Sequence, residues 1–119
     1  MDFKETQSIY LQIADWVCEQ ILTNRWKIGE RVMSIRELGG VLEVNSNTVL
    51  RTYDFLQTME IIVNKRGVGY FVADNAIEKI ITFRKNRFIK EELPHLFKNM
   101  RLLQIDITEI EKRYNEFNK

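Results

Sequence analysis

Apolar positions along the chain recur at helical spacing, then in two short β-rich runs, then at helical spacing again. Ile9, Ile13, Trp16, Val17 and Ile21 succeed one another at steps of 4, 3, 1 and 4, one face of a helix expected over residues 8–24. Gln12, Asp15 and Glu19 fall off that face. Trp26-Lys27-Ile28-Gly29 reads as a turn. Ser34-Ile35-Arg36-Glu37 then has the form of a capping box, in which the serine hydroxyl accepts from the Glu37 amide and the glutamate reaches back. The helix it opens is short, because Gly39-Gly40 weakens it and Glu43-Val44-Asn45 interrupts it. Asn45 is the expected N-cap of a third helix running to about Thr58. Val49, Tyr53 and Leu56 would face inward there, with Asn47, Arg51 and Asp54 pointing elsewhere. Residues 61–65 and 70–73 are β-rich, and Arg66-Gly67-Val68-Gly69 joins them as a hairpin.

Asp74-Asn75 marks a boundary, after which Ile77, Ile80, Ile81 and Phe88 suggest a helix from about Ala76. Further on, Leu93, Leu96, Met100, Leu103, Ile107, Ile110, Tyr114 and Phe117 alternate steps of 3 and 4, the seam of a heptad pattern. Two features divide this stretch. Pro94 suits a first helical turn, and Asp106-Ile107-Thr108-Glu109 is a second capping-box pattern. Segments over residues 76–91, 93–104 and 107–117 are expected. Two helices joined by a short turn and followed by a hairpin make the layout of a winged helix-turn-helix. The expected fold is therefore mainly α with a small β-hairpin: a winged helix-turn-helix domain over residues 1–73, with C-terminal dimerisation helices over residues 74–119.

Composition adds limits. The 119 residues are 45% hydrophobic and 29% charged, with 5 Gly and 1 Pro, an ordinary globular balance. No apolar run approaches a membrane span, and the charged opening at residues 1–5 lacks the apolar stretch of a signal peptide. A single cysteine, Cys18, allows no internal disulfide, and a reducing cytoplasm is the expected location. One histidine, His95, and one cysteine make neither a metal site nor a nucleophile–base pair, so no enzyme, cofactor or metal is expected. Net charge is +1, and residues 1–73 hold 8 Lys/Arg against 9 Asp/Glu. Nucleic-acid binding must therefore come from local placement of cations.

That placement is specific. The start of the second helix of the pair is the part that enters a major groove. Here it carries Asn45, Ser46, Asn47 and Thr48, then Arg51, all able to bond a base edge or phosphate. Asn45 and Thr48 have a plain alternative as cap and first-turn residues. Arg31, Ser34 and Arg36 flank the start of the preceding helix, which crosses the DNA backbone in such folds. For the two arginines the alternative is internal pairing, Arg31 with Glu30 or Arg36 with Glu43. Lys65, Arg66, Gly67 and Gly69 give the hairpin a cationic tip with few side chains, suited to a phosphate track or minor groove. Double-stranded DNA is the expected partner, read by a homodimer held by the eight seam residues, since residues 1–73 already make a self-sufficient unit by pattern. The rival is a winged-helix protein-interaction module, which near-neutral charge would suit. The effector, if any, is not legible.

Several blocks resemble the GntR family of bacterial regulators in order: residues 9–13 its first-helix opening, residues 29–38 its Gly-Asp/Glu-x-Leu-Pro-Ser-x-Arg-Glu-Leu signature, Val44-Asn45-Ser46-Asn47-Thr48-Val49 with Arg51-Thr52-Tyr53 its recognition helix, and residues 66–72 its wing. Met33 stands where the family has Pro, Gly39 where it usually has Ala, Glu60 where a Gly usually ends the recognition helix, and Tyr70 where the wing has Thr. The 46 residues from 74 to 119 resemble the short helical tail of its YtrA subfamily. That resemblance implies a homodimeric repressor acting on an inverted repeat, often at transporter genes.

Overall fold

The computed structural model describes residues 7–117; the charged opening at residues 1–5 lies outside them. Its elements run α1 (Ile9–Leu22), α2 (Ile35–Leu42), α3 (Ser46–Thr58), β1 (Ile62–Lys65), β2 (Gly69–Val72), α4 (Ala76–Arg87), a π-helical turn (Phe88–Glu92), α5 (Leu93–Leu102) and α6 (Ile107–Phe117). The chain divides into two compact units, Met1–Thr82 and Phe83–Lys119. The first extends nine residues past the boundary expected at 73/74, because Ala76 and Ile80 of α4 are buried in its core.

The starts of α2 and α3 and the end of α3 each have a local cause. At α2 the Glu37 amide donates to Ser34 Oγ (3.1 Å) and the Ser34 amide donates to Glu37 Oε1 (3.1 Å), so the capping box closes both ways. Asn45 Oδ1 accepts from the Asn47 amide (2.7 Å) and starts α3. At the end of α3, the Ile61 amide donates to Leu56 O (2.9 Å) and the Glu60 amide to Gln57 O (3.0 Å), a Schellman closure that needs a left-handed residue. Glu60 supplies it at φ 63, the conformation for which the family's usual glycine is suited. Its carboxylate then reaches Lys79 on α4 at 2.8 Å, an exposed pair that holds the Glu60 carboxyl below its ordinary pKa.

The core joins Ile13, Val17 and Ile21 of α1, Leu38 of α2, Val49, Tyr53 and Leu56 of α3, and Ile61, Ile62 and Val72 around the hairpin. Gln12 corrects the expectation for α1: it is buried, and its amide Nε2 donates to Gln7 O at 2.9 Å. Ile9, expected on the buried face, is exposed. Cys18 is buried in this core.

The hairpin is antiparallel, with Ile62 opposite Val72, Val63 opposite Phe71, Asn64 opposite Tyr70 and Lys65 opposite Gly69. Its tip closes where the Val68 amide donates to Lys65 O (2.9 Å), with Gly67 at φ 77 in the third turn position, where a positive φ favours glycine. The outer edge of β2 is covered by residues 29–32. The Gly29 and Val32 amides donate to Val72 O (3.0 Å) and Tyr70 O (2.9 Å), the Val72 amide donates to Glu30 O (3.0 Å), and Arg31 pairs with Phe71. An edge that would offer free backbone groups is thereby occupied.

In the second unit the seam residues lie on separate helices, divided where the sequence led one to expect. The Leu103 amide closes α5 on Asn99 O (2.9 Å), Gln104 turns the chain at φ 56, and Asp106 Oδ1 accepts from the Glu109 amide (2.9 Å) to start α6. Of the eight seam residues, Met100 is buried within the chain at 8% exposure, Leu93 and Ile110 are half-buried, and Leu96, Leu103, Ile107, Tyr114 and Phe117 are exposed. Among the described residues no helix is long and apolar enough to cross a membrane, and no group of side chains could hold a metal ion.

Candidate nucleic-acid interface

Sequence positions 31, 36, 45–47, 51 and 65–67 are all exposed, while Ser34, Thr48 and Gly69 are half-buried. Three of the expected contact residues also have structural duties. Ser34 and Asn45 are caps, as above, and Thr48 O accepts from the Thr52 hydroxyl (3.0 Å). The Thr52 hydroxyl lies equally close to Tyr10 O (2.9 Å), which ties the start of α3 to α1. Ser46 and Asn47 occupy the first turn of α3 with side chains in solvent. That turn also presents the positive end of the helix dipole, while its Asn47 amide is taken by Asn45 Oδ1 and its Thr48 amide by Asn45 O.

The arginines are not neutralised by the fold. Among the described residues neither Arg31 nor Arg36 lies within ion-pair distance of a carboxylate, so the internal pairs weighed as alternatives do not form. Arg31 is held by geometry instead. Its backbone is paired with β2, and its side chain lies across Gly69, where an added Cβ would come within 2.8 Å of Arg31 Nε and 3.4 Å of Cζ. Gly69, at φ 140, thus gives Arg31 a seat against the wing. The positive charge of Arg31 also adds a minor share to lowering the Glu37 pKa, which comes mainly from the hydrogen bonds to the Ser34 backbone and side chain.

Arg51 has its guanidinium carbon 4.0 Å from the Tyr10 ring centroid, and Tyr10 in turn meets Phe55 edge-on at 6.1 Å. Lys65 Nζ sits 4.3 Å over the Phe71 ring. Both cations keep their charge in solvent while an aromatic face restricts where it can go. Sequence reading gave no role to Tyr10 or Phe71, and a contact between residues 41 positions apart leaves no local signal.

Two tyrosines make the three parts one body. Tyr53 of α3 is fully buried, and its hydroxyl donates to Met33 O at 2.6 Å, just before α2. Its ring meets Tyr70 of β2 edge-on at 4.9 Å. Burial, with the Glu37 charge next in size, pushes the Tyr53 phenol far above its ordinary pKa, and burial followed by the Asp54 charge raises that of Tyr70. Both phenols are therefore neutral at physiological pH, and that of Tyr53 serves as the donor to Met33 O. Through Tyr53 the α2 entry, α3 and the wing share fixed side-chain contacts. At the tight corner between α2 and α3, Gly39 lies where a Cβ would come within 3.1 Å of Val44 O and 3.6 Å of Ser46 Oγ.

No family model matches the chain. The chain is 33% identical over 101 residues to the helix-turn-helix-type transcriptional regulator YhcF of Bacillus subtilis, covering 85% of this chain and 82% of that one. It is 28% identical over 118 residues to the helix-turn-helix-type transcriptional repressor YtrA of the same bacterium, covering 99% and 90%. The crystal structure of a transcriptional regulator of the GntR family from Bacteroides thetaiotaomicron superposes with a TM-score of 0.79 at 46% identity, over 92% of this chain and 96% of that one.

Proposed function

The chain belongs to the GntR family of transcriptional regulators, and from that premise we propose that it is a cytoplasmic, homodimeric repressor that reads an inverted-repeat operator. Residues 1–73 serve as its DNA-binding domain and residues 74–119 as its dimerisation segment. The carrying observation is the exposed start of α3, with Ser46 and Asn47 in solvent, fixed through Tyr53 to Met33 on one side and Tyr70 on the other. In this role α3 enters the major groove, where Ser46 and Asn47 meet base edges and Arg51 a base edge or phosphate. Arg31 and Arg36 take backbone phosphates beside α2. Lys65 and Arg66 follow the backbone at the wing, where Gly67 and Gly69 permit close approach. Asn45, Ser34 and Thr48 contribute chiefly by holding the helix starts, with their outer atoms within reach of phosphate.

Dimerisation is supported by the apolar surface of the tail. Leu103 is 68% exposed, Ile107 65% and Phe117 87%, a cost that a second copy would relieve. Repression is supported by similarity to YtrA, and transporter genes are the target class that the family resemblance suggests.

The test is retardation of the DNA upstream of the protein's own gene, in steps of salt. Affinity should fall steeply as salt rises. Arg36→Ala should weaken binding to all sequences alike, whereas Asn47→Ala should change which sequence is preferred. Absence of binding at low salt, or equal effects of both substitutions on every duplex, would favour a protein-interaction module instead.

A further inference from the structure

Among the described residues of α3, one large apolar side chain stands in solvent: Leu50, 42% exposed. The other aliphatic residues of the helix, Val49 and Leu56, are fully buried, and its one aromatic outside the core, Phe55, rests half-buried against Tyr10. Leu50 therefore contributes little to the core. Its neighbours three and four residues away on the solvent face are Ser46, Asn47 and Asp54, all hydrogen-bonding groups and all exposed.

A lone exposed leucine is common on protein surfaces and needs no explanation by itself. What distinguishes this one is its position. It lies on the second turn of a helix whose first turn is capped by Asn45, and the other exposed side chains of that helix are all polar. The major groove displays hydrogen-bonding edges and one apolar group, the 5-methyl of thymine. A polar reading surface with one aliphatic patch complements a run of base edges that includes that methyl. A base lacking it would leave the leucine facing water or the amino group of cytosine.

We propose that Leu50 is a specificity-determining residue that packs on the 5-methyl group of a thymine in each half-site, so that this base is chosen by apolar contact and not by a hydrogen bond. This rests on the reading of α3 as the helix that enters the major groove.

The experiment uses the full chain and the duplex it enriches most strongly from a random-sequence library. Each thymine is then replaced in turn by deoxyuridine, which deletes the methyl and leaves the pairing edge intact. At one thymine per half-site, the replacement should lower affinity about fourfold, the worth of one buried methyl. Leu50→Ala should bind the thymine duplex more weakly and show no further loss with deoxyuridine at that position. Its melting temperature and the slope of affinity against salt should match the parent, since Leu50 is neither core nor phosphate contact. Deoxyuridine that is harmless at every position, or a penalty of the same size in Leu50→Ala, would overturn the proposal while leaving DNA reading by α3 intact. A library that yields no preferred sequence would overturn that underlying reading as well.

Discussion

Replacing Gly69 by alanine separates two consequences that the structure attaches to one atom. At φ 140 the position lies in a region that residues with a Cβ rarely adopt, which costs about 1–3 kcal/mol of folding stability. The added Cβ would also stand 2.8 Å from Arg31 Nε, and the flexible arginine, not the paired backbone, is the part that can move. The stability loss should therefore be a backbone effect that removal of Arg31 does not rescue. DNA affinity should behave differently. If Arg31 holds a phosphate from its seat on Gly69, Arg31→Ala lowers the slope of log affinity against log salt by about 0.9 for each contact removed. Gly69→Ala should lower it by a similar amount, because the guanidinium is displaced. The double variant should lose no more than either single one, the signature of two changes acting on one interaction. Urea unfolding and fluorescence anisotropy in salt steps measure the two effects separately. An unchanged salt slope in Gly69→Ala, or a double variant whose slope falls by the sum, would refute the coupling.

Further outcomes follow from single contacts. Tyr53→Phe removes the donor to Met33 O and should lower stability by about 1–2 kcal/mol in urea unfolding, because that carbonyl loses its partner near the core. Glu37, whose pKa is lowered chiefly by the Ser34 hydrogen bonds, supports folding while ionised. Its contribution is complete above the ordinary value of 4.5 and disappears as pH falls through the lower folded value, so the melting temperature should drop from pH 5 to pH 3, and drop less in Glu37→Gln. Leu103→Glu with Ile107→Glu should give monomers in sedimentation and abolish operator binding; these residues suit the test better than Met100, which is buried in its own chain.

What could be read from sequence was local. Ser34 with Glu37, Asn45, and the Gly67–Gly69 tip each act on bonds within a few residues, and they located α2, α3 and the wing closely. The second capping box at Asp106 likewise marked the start of α6. The contacts that depend on distant partners left no such pattern. Gln12 looks solvent-facing by type, yet burial is tolerated because its amide finds the Gln7 carbonyl. Gly29 reads as the end of a turn and residues 30–32 only as part of a family signature, although together they cover the edge of β2, because so short a pairing carries no alternation to detect. The π-helical turn at Phe88–Glu92 inserts residues without changing composition, whereas Pro94 and the Asp106 capping box let the division into α5 and α6 be read despite the continuous heptad spacing. At the interface, residue types suggested Arg31 and Gly69 independently, while the fit of one against the other appears only in three dimensions.

Hydrogen exchange of the full chain with and without its selected duplex tests most directly whether α3, the α2 entry and the wing form one DNA-gripping surface. The account predicts slowed exchange on DNA addition at residues 31–37, 45–51 and 64–69, with residues 107–117 unchanged. Slowing confined to the tail, or none in the first turn of α3, would contradict it.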